Sequence, residues 1–312
     1  MITVFGGSGF LGRYIVHQLG NLGFKIRVVV RKPNNALFLK VYGKVGQIEI
    51  VRGDISNSGS LKELIGNAEI VINCVAIFYE TNDQKFKKVH VNAACEIAET
   101  CNLLGVKQLI HISSLGANSG SKSALLKTKG EGEERVLNIF PGANIIRPSL
   151  IFGPEDDFFN RFARMALISP VLPSVGSATK FQPVFVNDVA KAVTFLVINK
   201  SEKRYLELGG QEVFFFIDLL KKLLVHLNRK RFIFRVPLFL AIIMASINDF
   251  LRLMTGNIFP AFLTVAQVNS FQFDNICGSG VEKFEDLGIE PKGLDIVLPT
   301  YLMRFKKKQI NE

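Results

Sequence analysis

The sequence begins Met1-Ile-Thr-Val-Phe-Gly-Gly-Ser-Gly-Phe-Leu-Gly12, and this stretch decides the predicted fold. Ile2 to Phe5 is a short apolar run rich in β-branched residues, which predicts a buried strand. Glycines follow at GxxGxxG spacing, and apolar residues then recur at helical spacing, so a glycine turn joins the strand to a helix. Such a turn lets the backbone approach a pyrophosphate, which the free N–H groups at a helix N-terminus stabilise. The context favours a dinucleotide site over a glycine turn that binds nothing.

Strand-like and helix-like runs alternate through the first half of the chain. The strand-like runs are 2–5, 25–30, 48–51, 69–76, 107–112 and 143–147. This alternation predicts an α/β fold of the Rossmann type, with a doubly wound parallel sheet. We assign residues 1–150, with a return segment at 180–200, to this domain, and residues 151–312 to a smaller, mostly helical C-terminal lobe that binds a substrate or a partner.

The ends of the second and third strands indicate which dinucleotide binds. Arg31 and Lys32 follow the second strand, where an arginine accommodates the 2′-phosphate of NADP and an acidic residue would favour NAD. NADP(H) is therefore the preferred cofactor and NAD(H) the second option, while solvated loop charges are the alternative interpretation. Asp54 follows the third strand, and it either caps the next helix or accepts a hydrogen bond from the adenine amino group.

Composition restricts the class of partner. The formal net charge of +11 indicates an anionic ligand, an acidic partner or a membrane surface. No basic-aromatic motif of a nucleic-acid-binding module is present, so we expect no nucleic acid partner. The four cysteines show no CxxC spacing, which is typical of reduced thiols, and we assign no metal site.

The most hydrophobic run is Val236–Ile247, which reads VPLFLAIIMASI. It is too short to span a bilayer, which needs about 20 apolar residues, and Asn248-Asp249 is expected to close it. Basic residues lie on both sides of it, at 229–231, 235 and 252. Two interpretations remain open: a buried core helix, or an interfacial helix that lies on a membrane or against a partner.

Several motifs resemble the extended and atypical short-chain dehydrogenase/reductase superfamily. They are GGSGFLG at 6–12, GD at 53–54, SSLGA at 113–117, the helix around Lys129 and RPSLIFGP at 147–154. The longer segments RPSLIFGPEDDFFNRFA (147–163) and KFQPVFVNDVA (180–190) are similar to those of the nucleotide-binding accessory subunits of respiratory complex I and their α-proteobacterial relatives.

The resemblance implies where catalysis would occur. Active superfamily members use a Tyr-x-x-x-Lys pair for proton transfer and a serine that positions the substrate carbonyl. Carried onto this sequence, the serine is Ser114 and the lysine is Lys129, but the tyrosine position holds Leu125. Leucine has no proton to transfer. Candidates for a substitute acid are Ser113, Lys127 and His90.

The resemblance therefore implies an NADP(H)-binding protein that is non-catalytic or weakly catalytic. Its partners would be complex I subunits or the inner-membrane surface, and because the first strand starts at residue 2 we expect a bacterial cytoplasmic protein, peripheral at the inner membrane. The alternative is an active NAD(P)-dependent epimerase/dehydratase or reductase that acts on a small or isoprenoid-like substrate. The predicted cofactor-binding residues are Gly6, Ser8, Gly9, Phe10, Leu11, Gly12, Arg31, Asp54, Ile55, Val75, Ala76, Lys129 and Pro148.

Overall fold

A computed structural model describes residues 1–199, 204–255 and 263–306. The strands are β1 (Ile2–Phe5), β2 (Ile26–Val30), β3 (Ile48–Arg52), β4 (Ile70–Asn73), β5 (Gln108–Ile112), β6 (Asn144–Pro148), β7 (Ile151–Phe152), β8 (Val171–Val175), β9 (Lys180–Phe181), β10 (Val184–Phe185), β11 (Tyr205–Leu208), β12 (Phe214–Phe215) and β13 (Phe232–Val236). The α-helices are α1 (Phe10–Asn21), α2 (Leu61–Ile65), α3 (Ala93–Leu103), α4 (Ala124–Ile139), α5 (Phe158–Ile168), α6 (Val186–Asn199), α7 (Phe216–His226), α8 (Leu238–Met254), α9 (Val265–Ser270) and α10 (Leu294–Leu302). A π-helical segment, Lys87–Asn92, precedes α3, and short 3₁₀ segments lie at Pro33–Tyr42, Ser58–Ser60, Glu285–Leu287 and Met303–Phe305.

A parallel sheet of seven strands organises the first part of the chain. Its order is β11-β6-β5-β4-β1-β2-β3, and all its pairings are parallel. β1 lies between β2 and β4, so the strand order reverses at β1. The α/β doubly wound fold predicted from the sequence is confirmed, and ligands in such sheets bind at the reversal point, beyond the carboxyl ends of the strands.

The central strands are buried on both faces. All residues of β1, β4 and β5 are buried, as expected where helices cover a parallel sheet on two sides. On one side Phe5 and Val71 pack with Ala98 and Cys101 of α3 and with Val136 of α4. This core holds the strand ends, and therefore the loops that follow them, in fixed positions.

The chain divides into two compact units. The first contains Met1–Pro148, Val186–Leu208 and Gly278–Ile289, and the second contains Ser149–Phe185, Gly209–Cys277 and Glu290–Glu312. Residues 278–289 lie in the first unit because they run beside β11, where Glu207 N–H donates to the Glu282 carbonyl at 2.9 Å.

The second unit is mostly helical, as predicted. Its strands form only two-stranded pairs: β10 with β7, β12 with β9 and β13 with β8. Its main core is aromatic, since Phe152, Phe158, Phe159 and Phe216 pack edge to face or nearly so among leucines of α7 and α10.

Helix α8 is longer than predicted, and its exposure contradicts one of the two interpretations of the hydrophobic run at 236–247. The helix runs from Leu238 to Met254 and does not end at Asn248-Asp249 as predicted. The Asp249 carboxylate accepts a hydrogen bond from Val265 N–H at 3.0 Å and pairs with Arg252 at 3.7 Å. Only Ala241, Ala245 and Arg252 are buried in this helix, so the interpretation as a buried core helix is wrong. Within the described ranges, no helix has the length and apolar character needed to cross a membrane.

Candidate cofactor site

The turn between β1 and α1 is shaped for a close ligand. Gly6 has φ +75°, a conformation that side chains disfavour, and a Cβ on Gly12 would clash with the carbonyl oxygen of Gly6. The N-cap is Gly9, which brings no side chain to the helix terminus. The first hydrogen bond of the helix runs from Arg13 N–H to the Gly9 carbonyl, at 3.1 Å. The N–H groups of residues 10–12 therefore have no acceptor within the helix and point out of its N-terminus. This is the geometry that a pyrophosphate requires.

The residues between Gly6 and Gly12 differ in how exposed they are to solvent. Gly9 is exposed, Ser8 and Phe10 are half-buried, and Leu11 is buried. The backbone at 8–10 is therefore open to a ligand while the helix behind it is held by apolar contacts.

The loop after β4 lies beside the glycine turn. A Cβ on Gly6 would lie 3.1 Å from Val75 Cγ2, and Asn73 Oδ1 accepts a hydrogen bond from Val75 N–H at 3.1 Å. Val75 and Ala76 are half-buried. The structure thus brings Gly6 and Val75 together at the point where the strand order reverses.

Basic residues follow β2, and a further one, Arg13 of α1, was not predicted to belong to the site. Arg31 and Lys32 are exposed just beyond β2. The Arg13 guanidinium lies 5.0 Å from the centre of the Phe38 ring, in the 3₁₀ segment that follows Lys32, and donates to the carbonyls of Gly9 and Ser8 at 3.3 and 3.4 Å. Arg13 therefore bridges the glycine turn and the segment after β2. Its position directly after the GGSGFLG motif was the available signal.

Asp54 does not cap the next helix. It is exposed, and its carboxylate accepts a hydrogen bond from Ser56 N–H at 2.8 Å, whereas α2 begins at Leu61. The helix-cap interpretation is wrong because Asp54 closes a turn of its own. Ile55 beside it is buried in the core, and a contact of Asp54 with adenine stays a prediction.

Lys129 is the buried cation of the site. Its Nζ donates to the Ser113 carbonyl at 3.2 Å and lies 5.7 Å from the centre of the Phe78 ring. Burial lowers the pKa of Lys129 to about 8, although the Glu133 carboxylate one turn later opposes the shift. Lys129 thus contacts the peptide that joins Ser113 to Ser114.

The loops after β5 and β6 are joined at the same edge. Leu115 N–H donates to the Pro148 carbonyl at 3.0 Å, and Pro148 is buried. Ser114 is half-buried between these contacts. Leu125, one helical turn before Lys129, is only 6% exposed and offers no proton to this edge.

His90 is locked in a structural role. Its Nε2 accepts a hydrogen bond from Ile77 N–H at 3.2 Å, which leaves the proton on Nδ1, where it is shared with Thr128 Oγ1 at 3.1 Å. Burial and the Lys129 charge lower the pKa of His90 to about 3. Both ring nitrogens are used and the ring is neutral, so His90 is not a substitute acid in this conformation.

The close approach of α4 accounts for the irregular helix around His90. A Cβ on Gly132 would clash with the His90 carbonyl oxygen, so α4 contacts the backbone of the π-helical segment directly. The chain is π-helical over Lys87–Asn92, and α3 proper begins at Ala93. Lys127, another candidate acid, is exposed, whereas Leu125 and Lys129 on either side of it are buried.

Two buried polar residues behind Lys129 were not anticipated. Asn73 and His111 are opposite each other in the β4–β5 register, and Asn73 Nδ2 donates to His111 Nδ1 at 3.2 Å. Burial and the Lys129 charge lower the pKa of His111 to about 4. The available signal was a polar residue at or next to the carboxyl end of each of two largely apolar strands.

Comparison with known proteins agrees with this geometry. The pattern of the 3-beta hydroxysteroid dehydrogenase/isomerase family matches residues 3–143. NADH dehydrogenase (ubiquinone) 1 alpha subcomplex subunit 9, mitochondrial, of Arabidopsis thaliana is 31% identical over 312 residues, which cover 98% of this chain and 78% of that protein. The chain belongs to the alpha-subcomplex subunit 9 family. The resemblance to short-chain dehydrogenase/reductases and to complex I accessory subunits is thereby confirmed.

Two further similar proteins are named as a reductase and an oxidoreductase. The ceramide reductase of Caulobacter vibrioides is 31% identical over 196 residues, which cover 62% of this chain and 60% of that protein. An NADPH-dependent quinone oxidoreductase of Escherichia coli, solved with NADPH, superposes with a TM-score of 0.74 over 97% of this chain and 99% of that one, at 17% identity. At that identity the likeness shows the fold alone.

Proposed function

We propose that this chain binds NADP(H) and is non-catalytic or weakly catalytic, with a role like that of its relatives among complex I subunits. One observation carries the proposal: the tyrosine position is filled by buried Leu125, while the glycine turn and Lys129 beside it are kept. A site that keeps its binding groups and lacks its acid is suited to hold a cofactor without turning it over.

The fit to the cofactor is argued from the chain's own groups. The uncapped N–H groups at the start of α1 would hold the pyrophosphate, and Arg13, Arg31 and Lys32 would surround the 2′-phosphate. Lys129 would hold the nicotinamide ribose. A bound nicotinamide would supply hydride chemistry, but no positioned acid is available from Leu125 or from His90, and without one carbonyl reduction loses roughly 10²- to 10⁴-fold.

The NADP(H) preference is tested by calorimetry. We expect NADPH to bind at least about tenfold more tightly than NADH, since arginine forms strong charge-assisted hydrogen bonds with a phosphate. Arg31→Glu removes that preference. Arg164→Glu, the same change at an exposed arginine of α5, leaves it intact. Equal affinities of the unaltered protein for the two nucleotides contradict the assignment.

The proposed partner is a complex I-type assembly. The Arabidopsis relative is named as a subunit of NADH dehydrogenase, and the similarity extends through 98% of this chain. Native-gel fractionation of gently solubilised membranes from the source cell, probed for this chain, tests the association. Comigration with NADH dehydrogenase activity supports it. Recovery only as a small free species contradicts it.

The second candidate is a reductase, favoured by the similarity to the Caulobacter vibrioides ceramide reductase. In that case Ser114 would position a carbonyl and the acid would come from solvent or from the substrate. Consumption of NADPH with a panel of small and long-chain ketones, abolished by Ser114→Ala, would establish this function. The absence of turnover in the presence of tight NADPH binding supports the primary proposal.

A further inference from the structure

Helix α8 presents large apolar side chains to solvent on most of its surface. The exposed ones are Leu238, Phe239, Leu240, Ile243, Met244, Ile247, Phe250, Leu251, Leu253 and Met254, each between 38% and 68% exposed. The side turned inward is small, since Ala241 and Ala245 pack against Val175 and Val268. A surface helix of a globular protein normally buries its large apolar side chains. In α8 the large apolar side chains face solvent and the small alanines face the protein. The fold displays these side chains for contact with something apolar.

A basic segment leads directly into this helix. Residues 229–248 contain Arg229, Lys230, Arg231 and Arg235 and no acidic residue. In the described part of the chain none of these four forms an ion pair: Arg229 and Arg231 donate to the carbonyls of Phe305 and Ala166, at 3.4 and 2.9 Å. Within residues 1–199, 204–255 and 263–306, no carboxylate therefore neutralises their positive charge.

The strand between the basic residues and α8 adds further apolar surface. In β13, Phe232 and Phe234 are on the same side of the strand and are exposed, while Arg235 between them and α8 is exposed as well. Aromatic rings, aliphatic side chains and cations thus follow one another within a single segment of the second unit, 229–254, which we call the α8 surface.

We propose that the α8 surface docks on an anionic phospholipid bilayer, with α8 lying in the interface and the cations on the headgroup phosphates. Large apolar side chains with adjacent Lys and Arg residues are the chemistry that such an interface binds. A protein interface core is surrounded by a hydrogen-bonding rim, whereas Ser246 is the one polar side chain among the exposed residues of the helix, within the described part of the chain. Helix α8 cannot cross the bilayer, so it lies on it. This inference goes beyond the proposed function and requires neither NADP(H) nor a complex I partner.

The test is flotation of the full chain with vesicles. Phosphatidylcholine vesicles that contain phosphatidylglycerol should carry the protein, pure phosphatidylcholine vesicles should carry much less, and added salt should release it. Ile243→Ser/Ile247→Ser should lower the bound fraction about tenfold or more, because the two side chains lose their apolar contribution to insertion. Ile198→Ser/Ile296→Ser, a matched double change at isoleucines that are at least as exposed but lie elsewhere, should leave it unchanged.

Charge reversal separates the two parts of the surface. Lys230→Glu/Arg235→Glu should abolish the preference for anionic vesicles. No vesicle binding by the unaltered protein, or undiminished binding by Ile243→Ser/Ile247→Ser, overturns the proposal. Comigration with a membrane complex in the absence of any vesicle binding assigns the surface to a protein partner and also overturns it. NADPH calorimetry on the same variants should be unchanged, so a failure here is distinguishable from a failure of cofactor binding.

Discussion

Lys129 is held at the site by its own helix and by the peptide of Ser113, and it has no tyrosine to act upon. Its Nζ reaches the Ser113 carbonyl at 3.2 Å, and burial brings its pKa down to about 8. At neutral pH most molecules still carry the charge, which suits a group that binds ribose hydroxyls. The residue is thus suited to the cofactor-binding role proposed for it, which does not depend on proton transfer.

Replacement of Lys129 tests that role. Lys129→Met keeps the apolar stem and removes the ammonium group, so we expect NADPH to bind about ten- to a hundredfold more weakly while the protein stays folded. Lys127→Met makes the same change two residues away on the exposed side of α4 and should leave the affinity unaltered. Calorimetry measures both. Equal losses in the two variants would show that the effect is not specific to the site.

The buried histidines predict an acid-sensitive fold. His90 and His111 have pKa values lowered from 6.5 to about 3 and about 4, so the unfolded chain takes up these protons first as the pH falls. Stability is therefore lost progressively below about pH 6.5. Between pH 7 and pH 5 each histidine should lower the free energy of unfolding by about 2 kcal/mol.

Urea unfolding at a series of pH values measures this dependence on the nucleotide-free protein. His111→Gln keeps a polar side chain at the position opposite Asn73 and should flatten the slope between pH 7 and pH 5. A slope that is the same with and without His111 contradicts the assignment of the acid sensitivity to this residue.

At the scale of elements, the β1 carboxyl end and α1 approach each other very closely at the glycine turn. The helix approaches so closely that a single added methyl group at Gly12 meets the Gly6 carbonyl oxygen. The same approach presents the N–H groups of residues 10–12 to a ligand. We therefore expect stability and cofactor binding to depend on the same glycine.

Gly12→Ala should lower the free energy of unfolding by about 2 kcal/mol or more and abolish NADPH binding, because the helix must move away from the turn. Gly142→Ala is the matched control: its Cβ would have only an ordinary contact, 3.8 Å from Phe140 Cε1. Urea unfolding and calorimetry measure the two effects. Wild-type affinity in Gly12→Ala would show that the turn does not hold the phosphate.

At the scale of the whole chain, Arg147 links four segments that are far apart in sequence. Its guanidinium pairs with Glu133 of α4 at 2.5 Å and with Glu207 of β11 at 3.5 Å, and Glu207 accepts a hydrogen bond from Gly278 N–H at 2.7 Å. Burial raises the pKa of Glu133, and Arg147 opposes that shift. The network fastens residues 278–289 to the sheet.

Arg147→Met should lower the free energy of unfolding by about 3–5 kcal/mol, since it removes the ion-pair partner of two buried carboxylates, Glu133 and Glu207. Lys107→Met breaks the exposed pair with Glu69 and should cost no more than about 1 kcal/mol. Adding Glu133→Gln to Arg147→Met should recover part of the loss. Urea denaturation followed by circular dichroism compares the variants, and equal costs for Arg147→Met and Lys107→Met contradict the interpretation.

Much of the sheet and the glycine turn at 6–12 could be predicted from the sequence alone, because both depend on local sequence patterns. The apolar run at 2–5, the glycine spacing at 6–12 and the alternation of strands and helices each express a backbone requirement within a few residues. The absence of a tyrosine four residues before Lys129 is likewise a matter of spacing. These features could be predicted without knowledge of the tertiary contacts.

Only the tertiary structure decided the features that depend on distant neighbours. The position of Arg13 against Phe38, the use of both His90 nitrogens and the Arg147 network each join segments that no local pattern connects. The exposure of α8 is of the same kind, since its composition suits a core as well as a surface, and burial depends on the elements around it. Local periodicity determines which elements form, and packing between elements determines which of their side chains remain available for function.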